Sequence, residues 1–204
     1  YTLNEDLTWS DGAPITTDDL LLGWAANSGY YDDATIDPDS GAVLSGTQYF
    51  QPAGGTTGLD TTAIPETSDD KRTLTLVYDT PFVDWNLTGL IGKPIHVVAE
   101  KAGVTADELV EAFETAPAGD PAAPGEPNAT IKAAADFWNT GYDLTSFPDD
   151  ASLIVGNGPF VIDSWDPTQS ATFVLNENYG GTHTPAYSEL VMRFIGDANA
   201  QVTA

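Results

Sequence analysis

Leu7-Thr8-Trp9-Ser10-Asp11-Gly12-Ala13-Pro14-Ile15-Thr16-Thr17-Asp18-Asp19-Leu20 is the stretch from which the fold is read. Asp11-Gly12 makes a tight turn after a short extended run, and Pro14 restricts the backbone as it approaches Thr16. Thr16 is a helix cap, with Asp19 three residues on in the electropositive first turn and Ile15 and Leu20 as the flanking hydrophobic staple. The predicted helix runs through Leu21 and Trp24 and stops at Gly29. These residues build scaffold; none of them has the pattern of a catalytic motif.

Downstream, Tyr30 to Asp70 is rich in Gly, Thr, Asp and Pro and reads as a long excursion with short strands, Val43-Leu44 and Tyr49-Phe50 being its apolar points. Arg72 to Tyr78 alternates as a half-buried strand and turns at Asp79-Thr80-Pro81. Phe82 to Leu90 is predicted as a short helix carrying Trp85, and Pro94 to Val98 as a strand. Thr105 and Glu108 form a capping box with Val104 and Leu109 as its staple. Ala116 to Asn128 holds four prolines and two glycines and is a surface loop or linker. A helix is predicted from Ala129 to Asn139, with Gly141 in the left-handed position after it. Leu153-Ile154-Val155, Phe160-Val161-Ile162, Thr172 to Leu175 and Leu190 to Ile195 are β-rich runs, and Asp197-Ala198-Asn199-Ala200 opens a further helix.

The 204 residues carry 31 acidic side chains against six Lys and Arg, a formal net charge of -25. Such a surface repels phosphate backbones and anionic headgroups, which argues against nucleic acid as a partner and suits a secreted or salt-tolerant protein. With no cysteine there is no disulfide framework, thiolate nucleophile or cysteine-ligated metal within these residues. No apolar run approaches the roughly 18 residues of a membrane span, and no leader precedes Tyr1, so the chain is either cytosolic or shorn of its export signal.

Tyr1-Thr2-Leu3 with Leu7 to Asp19, then Val155-Gly156-Asn157-Gly158-Pro159-Phe160-Val161-Ile162, Trp165 and Asn176-Glu177-Asn178-Tyr179, and finally Leu190 to Gln201, form an ordered set. The set resembles the signatures of family 5 bacterial extracellular solute-binding proteins, the dipeptide and oligopeptide binders, with Gly180 where that family commonly has tryptophan. The resemblance implies an α/β, periplasmic-binding-protein-like (type II) lobe fragment, helices packed on a mixed sheet. It implies that residues 1–155 form the smaller subdomain of the first lobe, with the Pro-rich insertion at about 116–128, and that 156–204 return as strands toward the main subdomain. The second ligand-binding lobe, which in peptide binders supplies the acid that grips the peptide amino terminus, is absent from these residues, as is the lipid-anchor cysteine.

The implied function is capture of peptides or similar solutes outside the cell by lobe closure and delivery to an ABC permease, with no enzymatic chemistry, cofactor or metal. The implied location is the cell exterior or envelope, anchored as a lipoprotein. The resemblance also leaves open a non-transport envelope lipoprotein regulator on the same fold, because the insertion with four prolines resembles a branch in high-GC Gram-positive bacteria that includes one. A secreted glycan-active enzyme is a further alternative, requiring two acids that converge in a cleft.

The resemblance to peptide binders, in which a tyrosine after the first helix can face the ligand, makes Tyr30, Tyr31 and Tyr49 candidate ligand-facing residues, and Asn157 in the glycine-rich crossing is another, each with packing or surface placement as its plainer explanation. Gly156 and Gly158 lack the spacing and the lysine of a phosphate loop. Asp37, Asp39 and Gly41 are interrupted by Pro38 as a calcium loop. His96, assigned to a strand, and His183, assigned to a turn, stand in no metal-ligand spacing.

Overall fold

The computed structural model describes residues 1–183 and 185–196. The helix start at Asp197 expected from the sequence lies outside them. The chain divides into two compact units, one made of Tyr1–Asn4 with Ile15–Tyr142 and the other of Glu5–Pro14 with Asp143–Ala204.

The first unit is built on helix α1 (Thr17–Ser28). Thr16 and Asp19 close the expected capping box, and Gly29 ends the helix at φ 67°, in the left-handed region open to glycine. The helix is buried nearly all round, so it has no polar face. Gly23 is obligatory here: a Cβ would sit 1.7 Å from the carbonyl oxygen of Leu90.

Helices α2 (Ile95–Ala102), α3 (Ala106–Thr115) and α4 (Ala129–Thr140) pack with α1 around Leu20, Trp24, Leu74, Val98, Leu109, Phe113 and Ile131. The second predicted capping box, Thr105 with Glu108, is present at the start of α3. Strands β1 (Thr35–Ile36) and β2 (Val43–Ser45) form one antiparallel pair, and β3 (Glu66–Thr67) and β4 (Leu74–Thr75) another.

Several local expectations are corrected. Residues 95–98, expected as a strand containing His96, are the first turn of α2, because Ile95, Val98 and Ala99 share a buried helical face and Asp19 Oδ1 accepts from the N–H of Ile95 at 3.0 Å. The helix expected over Phe82 to Leu90 is only a 3-10 turn at Trp85–Leu87, whose side chains lie exposed. The strand over Arg72 to Tyr78 is reduced to β4 with isolated bridges at Thr73 and Tyr78. Gly141 has φ -65°, so it is not left-handed; a Cβ there would meet the Phe137 ring at 2.1 Å, and close approach explains the glycine.

The second unit centres on an antiparallel meander of β5 (Phe160–Asp166), β6 (Ser170–Leu175) and β7 (Glu189–Arg193). Asp166 sets the β5–β6 turn, accepting from the Thr168 N–H at 2.9 Å and from its hydroxyl at 2.8 Å. Residues 153–155, expected as a strand, belong to a 3-10 turn (Ala151–Ile154) and its cap, begun by Asp150 accepting from Ser152 N–H. Every described strand pair is antiparallel, so the sheet component consists of three small antiparallel sheets.

Candidate functional site

The three motif segments of the second unit form one junction. At Trp9 to Pro14 the chain folds back, the Trp9 N–H donating to Ala13 O at 2.8 Å and the Gly12 N–H to Trp9 O at 2.9 Å, with Gly12 at φ 88°. Such a conformation falls to glycine after aspartate in a tight turn. Ser10, on the limb of this turn, donates its N–H to Gly156 O at 2.8 Å and accepts from the Gly156 N–H through its Oγ at 3.1 Å. Asn178 Nδ2 donates to Ser10 O at 2.9 Å, and the Thr8 hydroxyl donates to Asn178 O at 3.0 Å.

Asn176 completes the junction from within. It is buried, its Nδ2 donates to Gly158 O at 2.8 Å, and its Oδ1 accepts from the Asn178 N–H at 3.0 Å. Asparagine is required because one side chain must donate and accept at once. Beside the junction Pro159, Val174, Asn176, Glu177, Tyr179 and Ser188 line a groove of about 500 Å³. Asn157, the candidate from the sequence, is exposed between Gly156 and Gly158. Nothing local in the sequence marks Glu177 and Tyr179 as site residues; they line the groove beside Pro159, whose carbonyl accepts from the Asn176 N–H at 3.0 Å.

The tyrosine candidates belong to the first unit. Tyr31 is 4% exposed, and its hydroxyl donates to Phe113 O at 2.6 Å. Burial first, then the neighbouring Tyr30 and Glu114, pushes that hydroxyl far above the ordinary tyrosine range, so it stays neutral. Tyr30 is half-buried, its ring 5.1 Å from those of Trp24 and Tyr31. Tyr49 is buried, and its hydroxyl accepts from the Asn128 N–H at 2.8 Å. The structure thus brings Tyr31 and Tyr49 together on the wall of a cavity of about 320 Å³ closed by the Pro-rich loop, with Asp33, Gly125 and Asn128. Tyr30 and Asn157 do not line it.

Asp32 and Asp33 hold this region. Asp32 Oδ1 accepts from the Tyr49 N–H at 2.8 Å; Asp33 accepts from Thr47 N–H at 2.5 Å through Oδ1 and from Gly125 N–H at 2.8 Å through Oδ2. Burial raises the Asp32 pKa, the Tyr49 N–H partly offsets this, and Asp33 adds to the rise.

The Asp37 carboxylate accepts from the N–H groups of Asp39 and Ser40 in the turn between β1 and β2. Among the described residues no group of three or more His, Cys, Asp or Glu is arranged to hold a metal ion. No described helix is long and apolar enough to cross a membrane. The groove is lined by one carboxylate, that of Glu177, and by the Tyr179 side chain.

Residues 1–204 match the sequence model of the bacterial extracellular solute-binding proteins, family 5 (middle region), and the chain belongs to that family. An uncharacterised lipoprotein of Mycobacterium bovis is 24% identical over 188 residues, covering 89% of this chain and 28% of the relative; counterparts from Mycobacterium tuberculosis align equally. The chain therefore spans 28% of the length of the curated relatives it matches.

Among solved structures, the periplasmic EDTA-binding protein EppA superposes with a TM-score of 0.63 at 21% identity, over 100% of this chain and 28% of that one. An oligopeptide binding protein from Thermus thermophilus, complexed with a pentapeptide, superposes with a TM-score of 0.54 at 19% identity, over 99% of this chain and 29% of that one. These likenesses establish the fold, that of the type II periplasmic binding proteins.

Proposed function

We propose that this protein is the substrate-binding component of an ABC importer, capturing peptides or similar solutes outside the cell and delivering them to the permease. The observation that carries the reading is the family match along all 204 residues, whose motif segments are fastened into one hydrogen-bonded junction by Ser10, Gly156 and Asn178. An extended peptide suits such a protein because its backbone repeats donors and acceptors while water-filled pockets tolerate varied side chains. Binding, closure and release need no bond-making chemistry.

Within the first unit Tyr30 is proposed to approach a solute, with Tyr31 and Tyr49 supporting the wall behind the Pro-rich loop; within the second unit, taken by itself, Asn157 is the proposed ligand-facing residue. The lipoprotein relatives favour an envelope anchor for the full-length protein. The second reading is a non-transport lipoprotein regulator on the same scaffold, which the family resemblance leaves open.

The test is native mass spectrometry of the full-length protein after incubation with a mixed library of two- to six-residue peptides. Retention of peptides that also raise the melting temperature is expected. Retention of a lipid or glycan with no peptide would overturn transport of peptides and favour the regulator.

A further inference from the structure

The chain contains two Asn-x-Ser/Thr sequences, Asn86-Leu87-Thr88 and Asn128-Ala129-Thr130. This pattern is the acceptor for N-linked glycans in exported proteins, and neither middle residue is the proline that would block it. The structure treats the two asparagines oppositely. Asn128 is half-buried at the start of α4, where its Oδ1 accepts from the Ile131 N–H at 3.1 Å, and its own N–H is held by the Tyr49 hydroxyl. Asn86 is exposed in the 3-10 turn Trp85–Leu87, and among the described residues no hydrogen bond holds its side chain.

The surroundings of Asn86 call for a cover. Val83, Trp85 and Leu87 are 86%, 61% and 77% exposed on one short loop of a chain whose net charge is -25. Adjacent large apolar side chains left in water mark a surface that something else occupies. Of the 14 residues from Thr80 to Lys93 only Asp84 and Lys93 are charged, so the loop lacks the acidity that keeps the rest of the surface solvated. A hydroxyl-rich glycan on Asn86 would solubilise the loop, and the exposed Trp85 ring one residue away offers an apolar face to the C–H groups of its first sugar.

We propose that Asn86 is an N-glycosylation site of this extracellular-family protein. In the modification the Asn86 amide nitrogen attacks the anomeric carbon of a glycan carried on a polyprenyl diphosphate, with a membrane glycosyltransferase as catalyst. The new C–N bond forms as the sugar–oxygen bond to the diphosphate breaks, the polyprenyl diphosphate leaves, and the amide loses one proton. No oxidation or reduction is involved. Thr88 supplies the hydroxyl that the transferase reads, while its backbone carbonyl separately accepts from the Tyr1 hydroxyl at 2.8 Å.

Glycopeptide mass spectrometry of protein isolated from the cells that produce it tests the site. Trypsin separates the two asparagines, because Lys93 is followed by Pro94 and the cut falls after Lys101, giving peptides 73–101 and 102–132. The expected result is a glycan on Asn86 in the first peptide and bare Asn128 in the second. Thr88→Ala made in the same cells keeps the backbone bond to Tyr1 and is expected to return peptide 73–101 to its bare mass. A bare Asn86 in the native protein overturns the proposal and leaves the apolar loop to a protein partner. A glycan on Asn128 alone, or one on Asn86 that survives Thr88→Ala, overturns it equally.

Discussion

Asp33 Oδ2 accepts a hydrogen bond from the N–H of Gly125 at 2.8 Å, across 92 residues of sequence. The same carboxylate takes the Thr47 N–H through its other oxygen, so one buried side chain ties the loop after α1 to the Pro-rich segment. Two further bonds strap that segment, Gly119 N–H to Tyr30 O and Asn128 N–H to the Tyr49 hydroxyl. Gly119 fits because a Cβ would lie 2.2 Å from Asp32 O. A segment with four prolines cannot form its own ladder, so its order is imported from these anchors.

Asp33→Ala orphans the buried Thr47 N–H and releases the Gly125 N–H to solvent, and a buried orphan costs about 1–3 kcal/mol, so the variant is expected to lose roughly 1–3 kcal/mol in urea unfolding. Cleavage by a protease within residues 116–128 should accelerate in parallel. Asp33→Asn keeps one acceptor and should lose about half as much. Unchanged cleavage in Asp33→Ala would show that the carboxylate does not anchor the loop.

Asp32 gives a pH dependence of opposite sign to an ordinary paired carboxylate. Its folded pKa is raised, chiefly by burial, so folding favours the protonated acid. The stability it contributes is full below the ordinary carboxylate range and is lost as pH rises through the raised value. Asp32→Asn retains the Oδ1 acceptor for the Tyr49 N–H and removes the charge. Its melting temperature should exceed that of the parent at pH 7, and the advantage should vanish on acidification through the carboxylate range. An advantage that grows at low pH would contradict this assignment.

Asp19 joins two helix starts. Its Oδ2 accepts from the Thr16 N–H at 2.9 Å to close the box of α1, and its Oδ1 accepts from the Ile95 N–H at the first position of α2. Thr16→Ala removes one local cap and should cost about 1 kcal/mol, the usual loss for such a residue. Asp19→Ala leaves donors orphaned on both helices and should cost about 2–4 kcal/mol. Equal losses in the two variants, measured by chemical denaturation, would show that the link to α2 carries no energy.

These relationships explain what the sequence alone could reveal. The starts of α1 and α3 are legible because each capping box is complete within four residues. The helix at Ile95 is not, because its capping acid lies 76 residues away and its β-branched run mimics a strand. Tyr31 can be marked as a candidate but not placed, since Phe113, 82 residues on, takes its hydroxyl. The motifs around Trp9, Gly156 and Asn176 are each readable as segments. Their union through Ser10 depends on contacts across 146 and 168 residues, and the groove that Glu177 and Tyr179 line depends on the Asn176 N–H returning to Pro159 O.

The function proposed for the full-length protein built on this family 5 scaffold is to hold a peptide-like solute. Isothermal titration of the full-length protein, stripped of carried-over ligand by mild unfolding and refolding, tests it most directly. One-to-one binding of a short peptide at micromolar concentration or tighter is expected, with a negative heat-capacity change from the burial that accompanies closure. Flat titrations across the peptide library with refolded, monodisperse protein would contradict it.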